Sequence, residues 1–236
     1  MNQFARAFTP DRLQEAWKVI CEDFPFAAWE TFYATILATF FALIIGLPLG
    51  MLLVAGDEKG ILPLPRPIMQ VINVVINLLR SVPFIILMVM VIPLTRLIVG
   101  TSVGTVASIV PLVIAAFPFV ARLVESSLRE VNPNIIETAQ SMGATPLQIL
   151  LRVMLPESVP SLITNITLAI TTIMGYTAMS GAVGGGGLGM IAITYGYNRY
   201  RYAVLYAAVI VLVIITQVIQ SAGTWLARKC DKRLKK

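Results

Sequence analysis

Histidine is absent from this 236-residue chain, which removes the commonest general base and the commonest metal ligand together. Charge is scarce: Asp, Glu, Lys and Arg make up 13% of the residues, against about a quarter in a soluble domain. Cysteine is limited to Cys21 and Cys230, with neither zinc spacing nor a CxxC pair, so no metal site is expected. The phosphate-binding pattern Gly-x-x-x-x-Gly-Lys-Ser/Thr does not occur, and nucleotide hydrolysis is not expected of this polypeptide. The first 30 residues lack a basic start followed by an apolar core, so no signal peptide is expected there.

What is abundant is apolar surface. Hydrophobic residues are 57% of the chain and the mean hydropathy is +0.83. Too few polar side chains remain to clothe a globule, and a bilayer is the solvent that tolerates the excess. A helix crosses the hydrocarbon core with about 20 apolar residues. Five spans are expected on that basis: 31–56, 67–95, 97–121, about 158–179 and 202–227. The second contains Arg80, yet 81–95 alone is too short, so its helix must reach back past that arginine. The fold class is all-α integral membrane. By this reading no Asp or Glu lies inside a span. That disfavours an ion-coupled secondary transporter, which usually relies on buried carboxylates. A membrane-embedded enzyme, the other rival, lacks a histidine to work with.

The net charge of +6 invites a nucleic-acid reading. However, the last nine residues hold six bases (Arg228, Lys229, Lys232, Arg233, Lys235, Lys236) against Asp231, and a basic tail after an apolar run marks a cytoplasmic membrane anchor. The opposite end, 1–30, has three bases (Arg6, Arg12, Lys18) against five acids (Asp11, Glu15, Glu22, Asp23, Glu30). The chain is therefore expected to run N-out, C-in, with Cys21 and Cys230 on opposite sides. It divides into an external amphipathic segment, 1–30, with Leu13, Trp17, Ile20 and Phe24 at helical spacing, a transmembrane domain, 31–227, and a basic cytoplasmic tail, 228–236.

The cytoplasmic loop 131–156, between the third and fourth spans, has its own local code. Asn132 suits an N-cap, Pro133 the first helical position, and Gly143 the left-handed residue that ends a helix. Thr145, Pro146 and Gln148 repeat the start signal with a capping box, and Pro156 is expected to stop the run. Ile135, Ile136, Ala139 and Met142 recur at helical spacing and offer an apolar edge. Spacing and caps alone are equally compatible with a plain interfacial hairpin.

Within that loop, Glu137-Thr138-Ala139, three residues, Gly143, nine residues, then Val153-Met154-Leu155-Pro156 resembles the signature loop of ATP-binding-cassette importer permeases. The family pattern reads EAA, three residues, G, nine residues, I, one residue, LP; Thr138 and Val153 are the departures. The resemblance implies that Glu137, Thr138, Ala139, Gly143, Leu155 and Pro156 belong to a coupling element docking on a separate ATPase. On the residues alone, Glu137 either bonds a donor on that partner or caps and solvates its own helix. The stretches 80–87, 99–102, 143–146, 175–184 and 195–197 resemble the methionine importer permease subfamily. That implies five spans per subunit, a homodimer, two ATPases carrying ATP-Mg, an extracytoplasmic substrate-binding protein and a prokaryotic cytoplasmic membrane. Another amino acid or small solute is the nearest alternative cargo. The family-like stretch makes Tyr176, Met179 and Ser180 candidates for the translocation pathway, with packing as the rival role for Tyr176 and Met179.

Other patterns are expected to be structural. Gly184, Gly186 and Gly189 satisfy Gly-x-Gly-x-x-Gly, but without the strand and helix of a dinucleotide site. They read as an external turn after the fourth span, or as a re-entrant turn beside the pathway. Gly46/Gly50 and Gly100/Gly104 match a helix-packing spacing. Arg80 and Arg122, the charges nearest the apolar runs, read either as functional intramembrane charges or, as expected here, as side chains that snorkel to the cytoplasmic interface.

Overall fold

The computed structural model describes residues 9–231, and among them all regular structure is helical. In chain order these are α1 Pro10–Glu22, α2 Phe24–Ala55, α3 Arg66–Ser81, α4 Phe84–Met90, α5 Ile92–Val99, α6 Thr105–Arg129 and α7 Pro133–Ser141. A helical stretch over 146–157 leads into α8 Val159–Ser180, followed by α9 Gly187–Ile191 and α10 Tyr202–Cys230. Four helices, α2, α6, α8 and α10, are long and apolar enough to span a membrane, and α3 with α4 makes a fifth when the bent pair counts as one. The tail from residue 232 onward lies outside the described residues.

The span boundaries differ from expectation for reasons of backbone chemistry. The second span is not one helix over 67–95: α3 and α4 meet at a 104° bend. Pro83 has no N–H to continue the ladder, and it drives the preceding residue out of the α region. Val82 accordingly sits at φ −75°, ψ 125°. The third span does not start at 97, because Gly100 ends α5 at φ +82°. It opens instead at Thr105 and runs past Arg122 to Arg129. Gly100 and Gly104 are therefore turn residues rather than a packing motif, both at positive φ. Gly46 and Gly50 do pack: a Cβ there would come within 2.8 Å of Val120 Cγ1 and 2.6 Å of the Ala121 carbonyl oxygen.

Two acids lie within these longer helices, Glu30 in α2 and Glu125 in α6, each outside the stretches 31–56 and 97–121 expected as spans. Both are engaged. Glu30 accepts from Thr105 Oγ1 at 2.7 Å and from the Gly187 N–H at 3.0 Å, so one carboxylate serves the starts of both α6 and α9. Arg122 does not snorkel freely: it pairs with Glu125 at 2.7 Å, its side chain only 23% exposed. Arg80 is exposed in the last turn of α3.

The chain groups into two compact units. The first comprises the residues up to Thr39, Pro83–Val113 and Ile170–Ile219. Its core joins Ala16, Phe24 and Ala27 to Leu188, Ile191, Ala192, Val204 and Ala208. Thr31 and Thr35 are fully buried in α2; Thr31 Oγ1 accepts the Leu188 N–H at 2.9 Å, and Thr35 meets Thr177 hydroxyl to hydroxyl at 3.2 Å. The amphipathic face of α1 is correspondingly shifted. Ala16, Val19, Ile20 and Phe24 face this core, while Leu13 and Trp17 are exposed. The second unit holds Phe40–Val82, Ile114–Ala169 and the C-terminal residues from Gln220. It is centred on Leu53, Ile76 and Ala121, with Asn165 Nδ2 donating to Ser127 Oγ at 2.8 Å.

Candidate functional site

In the second unit, the loop after α6 is built by its caps. The Asn132 side chain accepts the Asn134 N–H at 3.0 Å and opens α7. At the other end the Gly143 N–H bonds the Gln140 carbonyl at 2.9 Å, and the Ala144 N–H bonds the Ala139 carbonyl at 3.1 Å. This is the paired closure of a Schellman motif, with Gly143 at φ +79° as its left-handed residue. Thr145 and Gln148 form a reciprocal capping box, with bonds of 2.9 and 3.4 Å. Pro156 does not stop the run. The helical path continues through it, with residues Ile149–Met154 widened into a π-helix. The missing proline N–H is the kind of ladder defect that π-type turns accompany.

Buried Val131, Ile149 and Met154 anchor the loop, and most of the residues between are exposed. Glu137 and Thr138 are exposed and Ala139 is half-buried. Among the described residues no side-chain partner of Glu137 is found, which leaves its carboxylate to solvent or to another chain. The Thr138 hydroxyl donates to the Asn134 carbonyl at 2.7 Å, so the departure from alanine is satisfied within α7. Gly143 is open: a Cβ there would meet nothing within 4 Å. Leu155 is half-buried and Pro156 exposed. Ile135, Met142, Leu147 and Leu151 expose apolar surface along the loop, Met142 at 83%. Ile136, by contrast, turns toward an open cavity of about 530 Å³ lined also by Glu137, Gln140, Asp57 and Arg129.

In the first unit, Tyr176 stacks on Phe84 with centroids 4.8 Å apart and planes 9° from parallel. Met179 is 48% exposed, and a Cβ on nearby Gly175 would meet nothing within 4 Å. Ser180 is not beside them on the surface. It is fully buried, its hydroxyl donating to the Thr177 carbonyl at 2.7 Å while its own carbonyl accepts the Gly185 N–H at 2.9 Å. The glycine-rich segment that follows is largely buried. Leu188 is fully buried, and Gly187 and Gly189 are buried beside it. A Cβ on Gly181 would collide with the Met190 nitrogen, and one on Gly189 with the Ala178 carbonyl.

Sequence reasoning missed Glu30, Glu125 and the asparagines Asn73 and Asn77, both of which accept from Arg122. The signal was present for the charged pair. Arg122, Glu125 and Arg129 stand three and four apart, one face of a helix, but that spacing has no meaning in a segment read as loop.

Comparison with known proteins agrees with this fold. The probable D-methionine transport system permease protein MetI of Vibrio cholerae is 47% identical over 207 residues, covering 88% of this chain and 92% of the relative. Its counterpart in Pasteurella multocida is 50% identical over 204 residues, covering 86% and 94%. A chain of the inward-facing MetNI methionine ABC transporter superposes with a TM-score of 0.85 at 44% identity, covering 87% of this chain and 94% of that one. An amino acid ABC transporter shares the fold at 17% identity, with a TM-score of 0.71. Residues 46–236 match the family described as binding-protein-dependent transport system inner membrane component, and the chain belongs to that family of membrane permeases.

Proposed function

We propose that this chain is the permease subunit of an ATP-driven importer that carries methionine, or a close analogue, inward across a prokaryotic cytoplasmic membrane. It acts as a homodimer. Two ATP-binding-cassette subunits supply hydrolysis with ATP-Mg, and an extracytoplasmic binding protein delivers the cargo. The observation that carries the reading is the loop 131–156, closed at each helix end and anchored beneath, with Glu137 and the apolar side chains Ile135, Met142 and Leu147 exposed. A rigid helical knob of this kind suits docking into a partner's groove. The deciding experiment co-expresses the chain with its ATPase and binding-protein partners and measures uptake of radiolabelled amino acids into ATP-loaded proteoliposomes. Methionine uptake that requires ATP supports the proposal; ATP-driven uptake of a different amino acid, with none of methionine, replaces the cargo.

The orientation proposed is N-out and C-in, supported by the bases that end α10 and the acids in and just after α1. Cys21 is exposed and Cys230 partly so, and both are free thiols. A membrane-impermeant maleimide applied to intact cells is expected to label Cys21 alone. Labelling of Cys230 in sealed cells reverses the orientation.

Met179, exposed beside open Gly175, is proposed to line the pathway near the Tyr176–Phe84 stack. A flexible thioether can fill a narrow passage and still rearrange. Met179→Ala is expected to raise basal ATP hydrolysis in the assembled complex with little change in its thermal stability. Unchanged hydrolysis and uptake would return Met179 to a packing role.

A further inference from the structure

A chain of ion pairs and hydrogen bonds runs through the second unit from the base of the docking loop to α3. Asp57, in the connector after α2, pairs with Arg129 at 2.7 Å. Arg129 reaches Glu125 Oε1 through its NH2 group at 3.0 Å and through Nε at 3.1 Å. The other oxygen of Glu125 pairs with Arg122 at 2.7 Å. Arg122 then donates to Asn73 Oδ1 at 2.7 Å and Asn77 Oδ1 at 3.2 Å, both on α3. Glu125 is thus the central link, holding one arginine on each oxygen with its side chain only 13% exposed. Charged hydrogen bonds of this kind gain strength as water is excluded.

The two ends of the chain matter as much as its middle. Arg129 closes α6 just before the docking loop, and Asp57, Arg129, Ile136 and Glu137 line the same cavity. Asn73 and Asn77 sit on the helix that ends at the 104° bend before Pro83. Polar side chains therefore connect the end of α6, from which the docking loop leaves, with one arm of the bent span. Apolar packing alone lets helices slide, because dispersion contacts have little directionality; a bidentate carboxylate between two guanidinium groups fixes register.

We propose that Glu125, bridging Arg122 and Arg129, is a positioning residue that ties movement of the docking loop to movement of α3, so that hydrolysis is converted into transport. This rests on the importer reading above. At the Asp57 end, the hydrogen bond from Arg129 holds the carboxyl below the usual carboxylate range.

The test uses the complete complex of permease, ATPase and binding protein, and reads substrate taken up per ATP hydrolysed, per assembled complex. The parent complex establishes the importer reading by itself; the variants address only the link. Glu125→Gln keeps size and one acceptor but removes the charge. Uptake per ATP is expected to fall at least about fivefold, the lower end of ordinary inter-site coupling, while hydrolysis continues. Asp57→Asn, at the solvent-exposed end, is expected to lower the same ratio less. A structural role alone would reduce the amount of complex and leave the ratio unchanged, and that outcome overturns the proposal. If Glu125→Gln fails to assemble, Asp57→Asn decides: a parental ratio in that variant overturns the link.

Discussion

Gly189→Val is expected to abolish the folded permease. The glycine is buried in α9, where a Cβ would run into the carbonyl oxygen and backbone carbon of Ala178 on α8. The obstacle is main chain, so no rotamer change relieves it, and α8 and α9 must separate. Overpacking ordinarily costs about 1–3 kcal/mol, and more where backbone has to move. The measurement is thermal unfolding of the detergent-purified protein, together with its monodisperse yield. A fall of about 2–4 °C is expected for each kcal/mol in a chain of this size. Gly175→Ala is the control. It lies within α8 but faces open space, so it should leave stability equal or raise it by up to about 1 kcal/mol, the helix preference of alanine. Equal stability of the Gly189 and Gly175 variants would show that the close approach of α8 and α9 is not required.

Gly143→Val is expected to reduce ATP-driven uptake to background, by a different route. Here no neighbour obstructs a side chain, since nothing lies within 4 Å of a Cβ. The obstacle is the backbone itself, at φ +79°. The left-handed conformation costs an L-residue about 1–2 kcal/mol, and a β-branched residue tolerates it least. The Schellman closure would open, and α7 would change its exit direction. Exposed Ile135 and Met142 would then no longer be presented in register for a partner. Gly143→Asn separates this from loss of a binding surface, because asparagine accepts the left-handed region. Asn is expected to retain much of the uptake that Val loses. Equal loss in both variants would mean that the glycine is needed for close contact with the partner, not for its backbone angle.

The two glycines also show where sequence reading succeeds. Gly143 was legible because its role is local: Asn132, Pro133, Gly143 and the Thr145–Gln148 box act within a few residues of one another. Gly189 was not legible. Nothing in its neighbourhood says that Ala178 will stand against it, and a Gly-x-Gly-x-x-Gly match or an external turn explained the same letters. Ser180 is a third case. A resemblance placed it with Tyr176 and Met179, and the three do share one side of α8, but Met179 and Ser180 stand about 100° apart on the helix, enough for Met179 to be exposed while Ser180 is fully buried.

The sequence by itself determined the solvent and the class: so little charge and such long apolar runs permit only membrane helices, since every backbone group must be satisfied within its own segment. It also determined the caps of the loop 131–156 and the motif that residues 137–156 carry, because both are short-range. Only the tertiary structure decided that Pro83 divides the second span, that Thr105 rather than residue 97 opens the third, and that Pro156 is passed through. Proline and glycine restrict a backbone without dictating which permitted path it takes, and packing selects among those paths. The same holds for the charges. Glu30 becomes a cap only when the starts of α6 and α9 are brought to it, and the local Arg122–Glu125–Arg129 set becomes a link only when Asn73, Asn77 and Asp57 are brought to its arginines; a charged group's role is set by what it faces in space.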